Sequence, residues 1–174
     1  MPPDSWNFTY NQHCGNKTET IAEGKTMDTT TLFLAYASEF EKSYADNEWE
    51  RLYEFLQPDA TYEVVSEKYG CTLVGPEAIF RGTKKSLDGL DRRFEKRTIQ
   101  PKDDIQSSDN EFSISWIAIY EQSGLPTLEL HGHSHVLFRD GKIQTLTDSY
   151  TPEGELQVQA WLDENDFPVD LSYI

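Results

Sequence analysis

Three histidines, His131, His133 and His135, are spaced two residues apart in the segment LELHGHSHVLF. Side chains two residues apart share one face of a β-strand, so this spacing predicts three imidazoles on one side of a sheet. A His-x-His pair on a strand can give two ligands to one zinc or iron ion. The outer two histidines are separated by about 13 Å at ~3.3 Å per residue, so at most two share a metal. Because no Cys or second His-x-His pair is evident as a third ligand, the alternative is a structural or interfacial histidine ladder.

The histidines lie in the middle one of three runs in which apolar and polar residues alternate. Two turn signals, SGLP and RDGK, separate these runs. Alternation is typical of half-buried strands, and short turns join neighbouring strands in antiparallel order. Residues 111–150 are therefore predicted to form an antiparallel meander, whose strands are FSISWIAIY, LELHGHSHVLF and KIQTLTDSY.

The sequence on either side of the meander predicts the elements that position it. Helical spacing begins after Asp28 or Thr29, either of which can cap a helix. The first predicted helix ends at Asp46-Asn47, and a second helix with Trp49, Leu52, Tyr53 and Leu56 ends at Pro58. A strand over residues 60–65, continued loosely to Val74, is followed by a third helix that opens at Gly75-Pro76-Glu77, with a break allowed at Gly82. A strand over residues 99–105, interrupted by Pro101, precedes the meander, and a mostly helical tail follows Pro152.

Length and composition limit the class of protein. At 174 residues the chain fits one domain, and its 37% hydrophobic and 13% aromatic content favours a folded protein. The net charge of −16 argues against nucleic acid and anionic membranes as partners. Two cysteines, Cys14 and Cys71, are too few for a disulfide framework. With neither an 18-residue apolar run nor a signal-peptide pattern, we expect a cytoplasmic protein.

The order of these elements predicts an α+β fold with one curved antiparallel sheet. Such a sheet has to bury one face, and only the helices can cover it, which gives a cone with a side pocket. Residues 1–27 are polar and aperiodic and are predicted to form an extended arm. Residues 28–152 form the predicted domain, and residues 153–174 a helical extension.

Several motifs carry a resemblance to a known family, over about residues 30–152. The chain resembles the nuclear transport factor 2 (NTF2)-like superfamily and, more narrowly, a SnoaL-like domain, in the motifs LQPDATYEVV, GPEAI, W-x-x-x-Y, G-L-P, F-R-D-G-K-I and L-x-D-x-Y. The resemblance implies a cone-shaped barrel with its sheet wrapped around three N-terminal helices, a cystatin-like architecture. It also implies a homodimer through the outer face of the sheet. Relatives include ketosteroid isomerases, polyketide cyclases, limonene epoxide hydrolases, scytalone dehydratases and proteins that only bind.

The resemblance to ketosteroid isomerases does not extend to their catalytic residues. Where those enzymes have a general-base aspartate, this chain has Val64. The place of their oxyanion-hole tyrosine falls near Glu39 or Phe40, and that of their second oxyanion aspartate on Ser134. The isomerase mechanism is therefore not predicted here.

The same alignment implies which face of the meander lines the pocket. If Ser134 points inward, the three histidines point outward, toward a subunit interface. The residues that then share the inner face are Leu130, Val136, Phe138, Ile114, Trp116, Ala118, Tyr120, Leu146, Asp148 and Tyr150.

Asp148 is the predicted proton-transfer residue, because burial between Leu146 and Tyr150 would raise the pKa of its carboxyl into a useful range. The alternative is that it accepts hydrogen bonds from Tyr150, a nearby hydroxyl or Arg92 and only closes the core. Tyr120, Tyr150 and Ser134 are predicted to orient a ligand against it.

Four further residues are predicted to contact a ligand. Trp116 and Tyr62 could stack on a flat molecule, Leu146 would line the pocket, and Arg92 could hold a carboxylate. The alternatives are that the aromatic rings are plain core and that the arginines at positions 92, 93 and 97 pair with Asp88, Asp91 and Glu95.

No Gly-rich phosphate loop, G-x-S-x-G, C-x-x-C or Cys–His pair is present, so neither a cofactor nor a metal is predicted. The sequence predicts a cofactor-independent isomerase, cyclase, dehydratase or hydrolase that acts on a small hydrophobic molecule. The alternative is a non-catalytic ligand-binding or protein-interaction module of the same fold. A large cavity that exposes Asp148 would favour the enzyme, and a pocket plugged by Trp116 or by the N-terminal arm would favour the module.

Overall fold

The computed structural model describes residues 28–102 and 105–174, so the predicted arm at residues 1–27 lies outside the described residues. Three α-helices, two short 3-10 helices and seven strands make up the described part. Their bounds are α1 Thr29–Asp46, a 3-10 helix Glu50–Phe55, β1 Leu56–Val65, β2 Cys71–Val74, α2 Pro76–Gly89, a 3-10 helix Asp91–Arg93, β3 Lys96–Pro101, β4 Gln106–Ser107, β5 Glu111–Glu121, β6 Leu128–Arg139, β7 Lys142–Ser149 and α3 Pro152–Glu164.

The strands form one curved sheet in the order β2-β1-β7-β6-β5-β3, and β4 pairs with β5. The predicted meander is confirmed, since β6 pairs antiparallel with both β5 and β7. The structure adds that β1 runs parallel to β7. The two end strands of this order, β2 and β3, do not pair with each other, so the sheet is open. The α+β fold class is confirmed.

The helix prediction holds at the ends of α1 and needs correction elsewhere. Asp28 caps α1 by accepting a 3.0 Å hydrogen bond from Thr31 N, and Asn47 ends the helix in the left-handed region with φ 67°. The second predicted helix is only a 3-10 helix, because the chain from Leu56 is already extended and pairs with Ile143 of β7. Pro58 therefore lies within β1.

The break allowed at Gly82 does not occur, and α2 continues to Gly89. Gly82 serves close packing instead, since a Cβ there would collide with the side chain of Leu73. The strand predicted over residues 99–105 is also shifted, because β3 starts at Lys96 and ends at Pro101. Pro101 allows either an edge strand or an irregular one, and the structure shows the first, since β3 lies at one end of the strand order.

Two hydrophobic cores lie on the covered face of the sheet. The larger one joins α1 and α2 to strands β1 and β5–β7, around side chains such as Phe33, Phe112 and Val136. The smaller one joins α3 and the segment after it to β3, β5 and β6, around Phe94 and Val158. The helical extension predicted after residue 152 thus packs directly on the sheet. Among the described residues, no helix combines the length and apolarity that a bilayer-spanning helix needs.

Candidate functional site

A cavity of about 160 Å³ lies between α1, α2 and the inner face of the sheet. Seven of the predicted site residues line it, and their roles stay predictions: Tyr62, Trp116, Tyr120, Ser134, Leu146, Asp148 and Tyr150. Sequence reasoning assigned three of its aromatic residues to helix α1 without placing them in a site: Phe33, Tyr36 and Phe40. Their i, i+3, i+7 spacing was the available signal.

The predicted orientation of the meander is confirmed. Ser134 is buried, whereas its neighbours His133 and His135 are exposed and half-buried on the opposite face. The register places Ser134 directly opposite Asp148 of β7 and Ile114 of β5. Because side chains alternate along a strand, this pairing brings Ser134 and Asp148 to the same cavity wall.

Asp148 sits at the centre of a short chain of hydrogen bonds. Ser134 Oγ donates to Asp148 Oδ1 at 2.5 Å, and the Tyr62 hydroxyl donates to Oδ2 at 2.7 Å. The indole Nε1 of Trp116 in turn donates to Ser134 Oγ at 2.8 Å. The orientation of the Ser134 hydroxyl is therefore set, since its oxygen accepts from Trp116 while its proton points at the carboxylate.

Burial raises the pKa of Asp148 above its ordinary value, and the hydrogen bonds from Ser134 and Tyr62 oppose part of that rise. Both described hydrogen-bond donors to this carboxyl are neutral hydroxyls, and within the described residues no ion pair fixes its charge. A carboxyl that gains a proton more readily than an exposed aspartate, and lies on a cavity wall, can act as a general acid or base.

A second polar group lies at another part of the same cavity wall. Arg97 Nε donates to Asp91 Oδ1 at 2.7 Å, and its Nη1 donates to both carboxylate oxygens of Glu41 at 3.0 Å. The Tyr120 hydroxyl donates to Asp91 Oδ1 at 3.2 Å. Tyr120 therefore belongs with Asp91 and not with Asp148, because β5 carries its ring toward the end of α2.

Burial raises the pKa of Asp91 as well, while the neighbouring Arg97 charge lowers it. A pairing with Asp91 was among the alternatives predicted for the arginines at positions 92, 93 and 97. Its place in the cavity was not foreseen, because Glu41 comes from α1 and is far away in sequence.

The structure places Arg92 away from the cavity lining, at the end of α2. Its guanidinium pairs with Asp88 at 2.5 Å and donates to the backbone carbonyl of Tyr44 at 2.8 Å. These are the contacts expected from the i, i+4 spacing of Asp88 and Arg92 on one helical surface. The proposed carboxylate contact of Arg92 has no basis in this geometry.

Tyr150 and Tyr173 close the remaining wall of the cavity. Tyr150 packs edge-on against Trp116, with ring centroids 6.0 Å apart. Tyr173, from the irregular segment after α3, packs against Tyr62 at 5.7 Å and places its hydroxyl 3.4 Å from that of Tyr62. The apolar residues Phe167, Leu171, Tyr173 and Ile174 predict that this tail docks on the fold, but an aperiodic segment carries no pattern that selects a position.

The three histidines lie on the outer face of the sheet. His133 Nδ1 is 3.1 Å from Ser115 Oγ, and His131 lies 3.5 Å from Lys102 Nζ and 3.4 Å from a Glu129 carboxylate oxygen. Within residues 28–102 and 105–174, no group of three or more His, Cys, Asp or Glu side chains is arranged to hold a metal ion. The interface predicted for this face stays a prediction.

The cone of helices and curved sheet with a side cavity has the fold of the NTF2-like superfamily. An NTF2-like protein from Anabaena variabilis superposes with a TM-score of 0.58 at 15% identity, over 72% of this chain and 91% of that one. A candidate SnoaL-like polyketide cyclase from Jannaschia sp. gives 0.58 at 12% identity, over 80% and 96%.

A protein of unknown function with a cystatin-like fold, from Xanthomonas campestris, gives 0.57 at 17% identity, over 78% and 98%. Similarity at this level of identity shows the fold, which agrees with the NTF2-like and SnoaL-like resemblance of the sequence. No protein-family model and no curated protein sequence matches the chain.

Proposed function

We propose that the protein binds a small hydrophobic molecule with a carbonyl or hydroxyl group in this cavity and that Asp148 transfers a proton on it. The observation that carries the proposal is the buried Asp148 carboxyl, held by two hydroxyl donors on a wall of aromatic rings. The reaction would need no cofactor. Isomerisation, cyclisation, dehydration and hydrolysis all fit, because each of them requires a proton to be taken from or given to carbon or oxygen.

The proposal divides the work among four side chains. Asp148 would take or give the proton, and Ser134 and Tyr62 would stabilise the carboxylate whenever it is ionised. Trp116 would hold the Ser134 hydroxyl in place and offer its ring to a flat ligand. The cavity of about 160 Å³ has room for roughly one aromatic ring, since an apolar cavity of ~150 Å³ accommodates benzene.

A non-catalytic binding or interaction module is the second candidate, and one observation favours it. Tyr173 of the chain itself closes part of the cavity wall and packs on Tyr62, so the protein supplies an aromatic ring of its own beside Asp148. In this case Asp148 would only anchor the hydroxyl groups around it.

Turnover assays distinguish the two candidates. The substrates would be small cyclic enones for isomerisation, β-hydroxy ketones for dehydration, epoxides for hydrolysis and dicarbonyl chains for cyclisation. For a substrate that the wild type converts, Asp148→Asn should lower kcat/KM by a factor of about 10²–10⁴. The matched control is Asp88→Asn, which removes an exposed carboxylate from the end of α2 and should leave the rate unchanged. Equal rates in wild type and Asp148→Asn would rule out proton transfer by Asp148.

We also propose that the outer sheet face, with His131, His133 and His135, forms a homodimer interface. Protonation of these histidines in acid would place like charges on both sides of the interface and weaken it. Sedimentation measurements between pH 8 and 5.5 test this. A dissociation constant that stays flat over this range, or a monomer throughout, would refute the acid-sensitive dimer.

A further inference from the structure

A second cavity, of about 360 Å³, lies beneath α3, and Asp148 does not line it. Its floor consists of buried apolar side chains from three parts of the fold, Val64 of β1, Leu90 after α2 and Val158 of α3. Pockets that bind small molecules usually have a volume of about 300–1,000 Å³ and a mainly apolar lining. The second cavity therefore has the size and the lining of a ligand site.

A wall of side chains separates the second cavity from the Asp148 cavity. The residues that line both cavities, and so lie between them, are Ser86, Leu90, Leu130, Tyr150 and Tyr173. The rings of this wall are packed, since Tyr173 contacts Tyr62 and Tyr150 contacts Trp116. A molecule beneath α3 would thus occupy a space of its own.

The C-terminal extension builds much of the second cavity. The lining residues that it supplies are Pro152, Glu155, Leu156, Val158, Gln159, Leu171 and Tyr173. The motifs that resemble the NTF2-like superfamily end at about residue 152, so the extension lies outside them. The second cavity is therefore a feature of this chain in addition to the shared cone.

The mouth of the second cavity carries two carboxylates and one ammonium group. Glu67 and Lys68 come from the exposed loop between β1 and β2, and Glu155 comes from the first turn of α3. Lys68 Nζ donates to Gln159 Oε1 at 3.2 Å and lies 5.0 Å from the centre of the Tyr69 ring. The charge of Lys68 is thus directed to groups of the protein itself.

Glu155 has an oxygen that lacks a partner. Its Oε1 is shielded from solvent and accepts no hydrogen bond from any described residue. Such an arrangement is unfavourable, because an ionised oxygen loses its hydration and gains no donor in return. The last torsion of a glutamate side chain is broad, so a small rotation can present either oxygen to the cavity. An ammonium group on a ligand would supply both the donor and the opposite charge.

We propose that the second cavity binds an apolar amine, a molecule with an alkyl or aryl body and a primary ammonium group. The body packs on Val64, Leu90 and Val158, and the ammonium group donates to Glu155 at the mouth. Leu156 also lines the cavity and is 70% exposed, so it offers further apolar surface to the body. The site does not include Asp148 and stands whether or not Asp148 transfers a proton.

The charges around the mouth favour a cation over an anion. A ligand carboxylate could contact Lys68, but it would also lie near Glu67 and Glu155, and like charges repel one another. The net charge of −16 acts in the same direction, because it attracts cations to the protein and repels anions. An alcohol could fill the apolar floor but would leave the charge of Glu155 uncompensated.

NMR titration of methyl-labelled protein near neutral pH tests the proposal with three probes of similar size, n-hexylamine, 1-hexanol and hexanoate. We expect hexylamine to bind wild type at least about tenfold more tightly than the other two, since a charge-assisted hydrogen bond adds to the same apolar contacts. Methyl signals of Val64 and Val158 should shift, whereas those of Ile79 and Leu87, which line only the Asp148 cavity, should not.

Glu155→Gln keeps the size of the side chain and removes its charge. It should weaken the binding of hexylamine about tenfold and leave the binding of hexanol unchanged. The matched control is Glu153→Gln, which removes one exposed negative charge from the same turn of α3 and does not alter the cavity lining. The control should bind all three probes as wild type does.

Four results would overturn the amine site. Hexylamine might not bind, or hexanol or hexanoate might bind as tightly as hexylamine does. Equal weakening of hexylamine binding by Glu155→Gln and Glu153→Gln would mean that only the overall charge matters. Shifts at Ile79 and Leu87 in place of Val64 and Val158 would put the amine in the Asp148 cavity. The comparison of the three probes on wild type needs no variant, so it decides the question even if Glu155→Gln fails to fold.

Discussion

Asp148 and Asp91 line the same cavity and differ in what surrounds them. Burial raises the pKa of both carboxyls. Asp91 lies 2.7 Å from the guanidinium of Arg97, so a positive charge compensates its negative one. Asp148 accepts hydrogen bonds from the neutral hydroxyls of Ser134 and Tyr62 instead.

The comparison shows that burial alone does not identify a proton-transfer residue. A buried carboxylate with a bonded guanidinium has a charge partner and holds secondary-structure elements together, here α1, β3 and the 3-10 helix Asp91–Arg93. A buried carboxyl with only hydroxyl donors can change its charge without breaking an ion pair. We call Asp91, Arg97, Glu41 and Tyr120 the Asp91 group, and Asp148, Ser134, Tyr62 and Trp116 the Asp148 group. We expect substitutions in the Asp91 group to act on stability and those in the Asp148 group to act on proton transfer.

The largest expected effect on stability is that of Arg97→Met. It removes the cation from beside two buried carboxylates, Asp91 and Glu41, and should cost about 3–5 kcal/mol in the free energy of unfolding. Arg139→Met is the matched control. The Arg139 side chain is 49% exposed and pairs with Asp59, whereas that of Arg97 is only 9% exposed. Urea unfolding measures both, and equal midpoints would show that the buried pair is not structural.

Gly132→Ala should disturb the Asp148 group and leave the Asp91 group unchanged. Gly132 faces Trp116 across the strands, and a Cβ there would collide with the indole ring. Moving the ring breaks its hydrogen bond to Ser134 and should cost about 1–3 kcal/mol through overpacking.

Tryptophan fluorescence and chemical shifts at Ser134 and Tyr120 measure this outcome. Chemical shifts that change at Ser134 and not at Tyr120 would show that the Asp148 group responds independently of the Asp91 group. Shifts that change equally at both positions would mean that the two ends of the cavity respond as one unit.

Ser134→Ala should raise the pKa of Asp148 further, because the hydrogen bond from Ser134 favours the ionised form. The loss of this bond should also cost about 1 kcal/mol of stability. Carbon-13 NMR of labelled aspartate follows the titration midpoints of Asp148 and Asp91 directly. Tyr62→Phe should move the Asp148 midpoint in the same direction, and the Asp91 midpoint serves as the internal control. A lower Asp148 midpoint in either variant would contradict the assignment of these donors.

The sequence predicted the Asp148 side of the site and missed most of the Asp91 side. The resemblance implied that Ser134 points inward, and strand alternation with its period of two residues then turned Trp116 and Asp148 inward as well. Arg97 and Glu41 are 56 residues apart in sequence, and the contact between them depends on how α1 crosses the sheet. No local pattern encodes such a contact.

Tyr173 escaped prediction for a different reason. Residues after α3 form neither helix nor strand, so hydrophobic spacing says only that they dock and not where. Gly89 was the available signal, because a glycine at the end of a helix can admit another backbone close by. Its use by Asp170 becomes visible only in three dimensions.

The smallest expected effect is the dependence of stability on pH, and it tests whether Asp148 really changes its charge. Its pKa is raised in the folded protein above the ordinary 3.8, so the folded state keeps its proton to a higher pH than the unfolded state. As pH rises from about 3.8 to the folded pKa, the unfolded state ionises first and the free energy of unfolding falls. The slope is at most about 1.4 kcal/mol per pH unit for one proton, and the loss is complete above the folded pKa.

Asp148→Asn lacks this titration, whereas Asp91 is present in both proteins and cancels from the difference between them. The stability of Asp148→Asn relative to wild type should therefore increase with pH across that window, as urea unfolding at a series of pH values would show. A difference that stays constant with pH would mean that Asp148 titrates alike in both states, and the distinction between the two aspartates would then be lost.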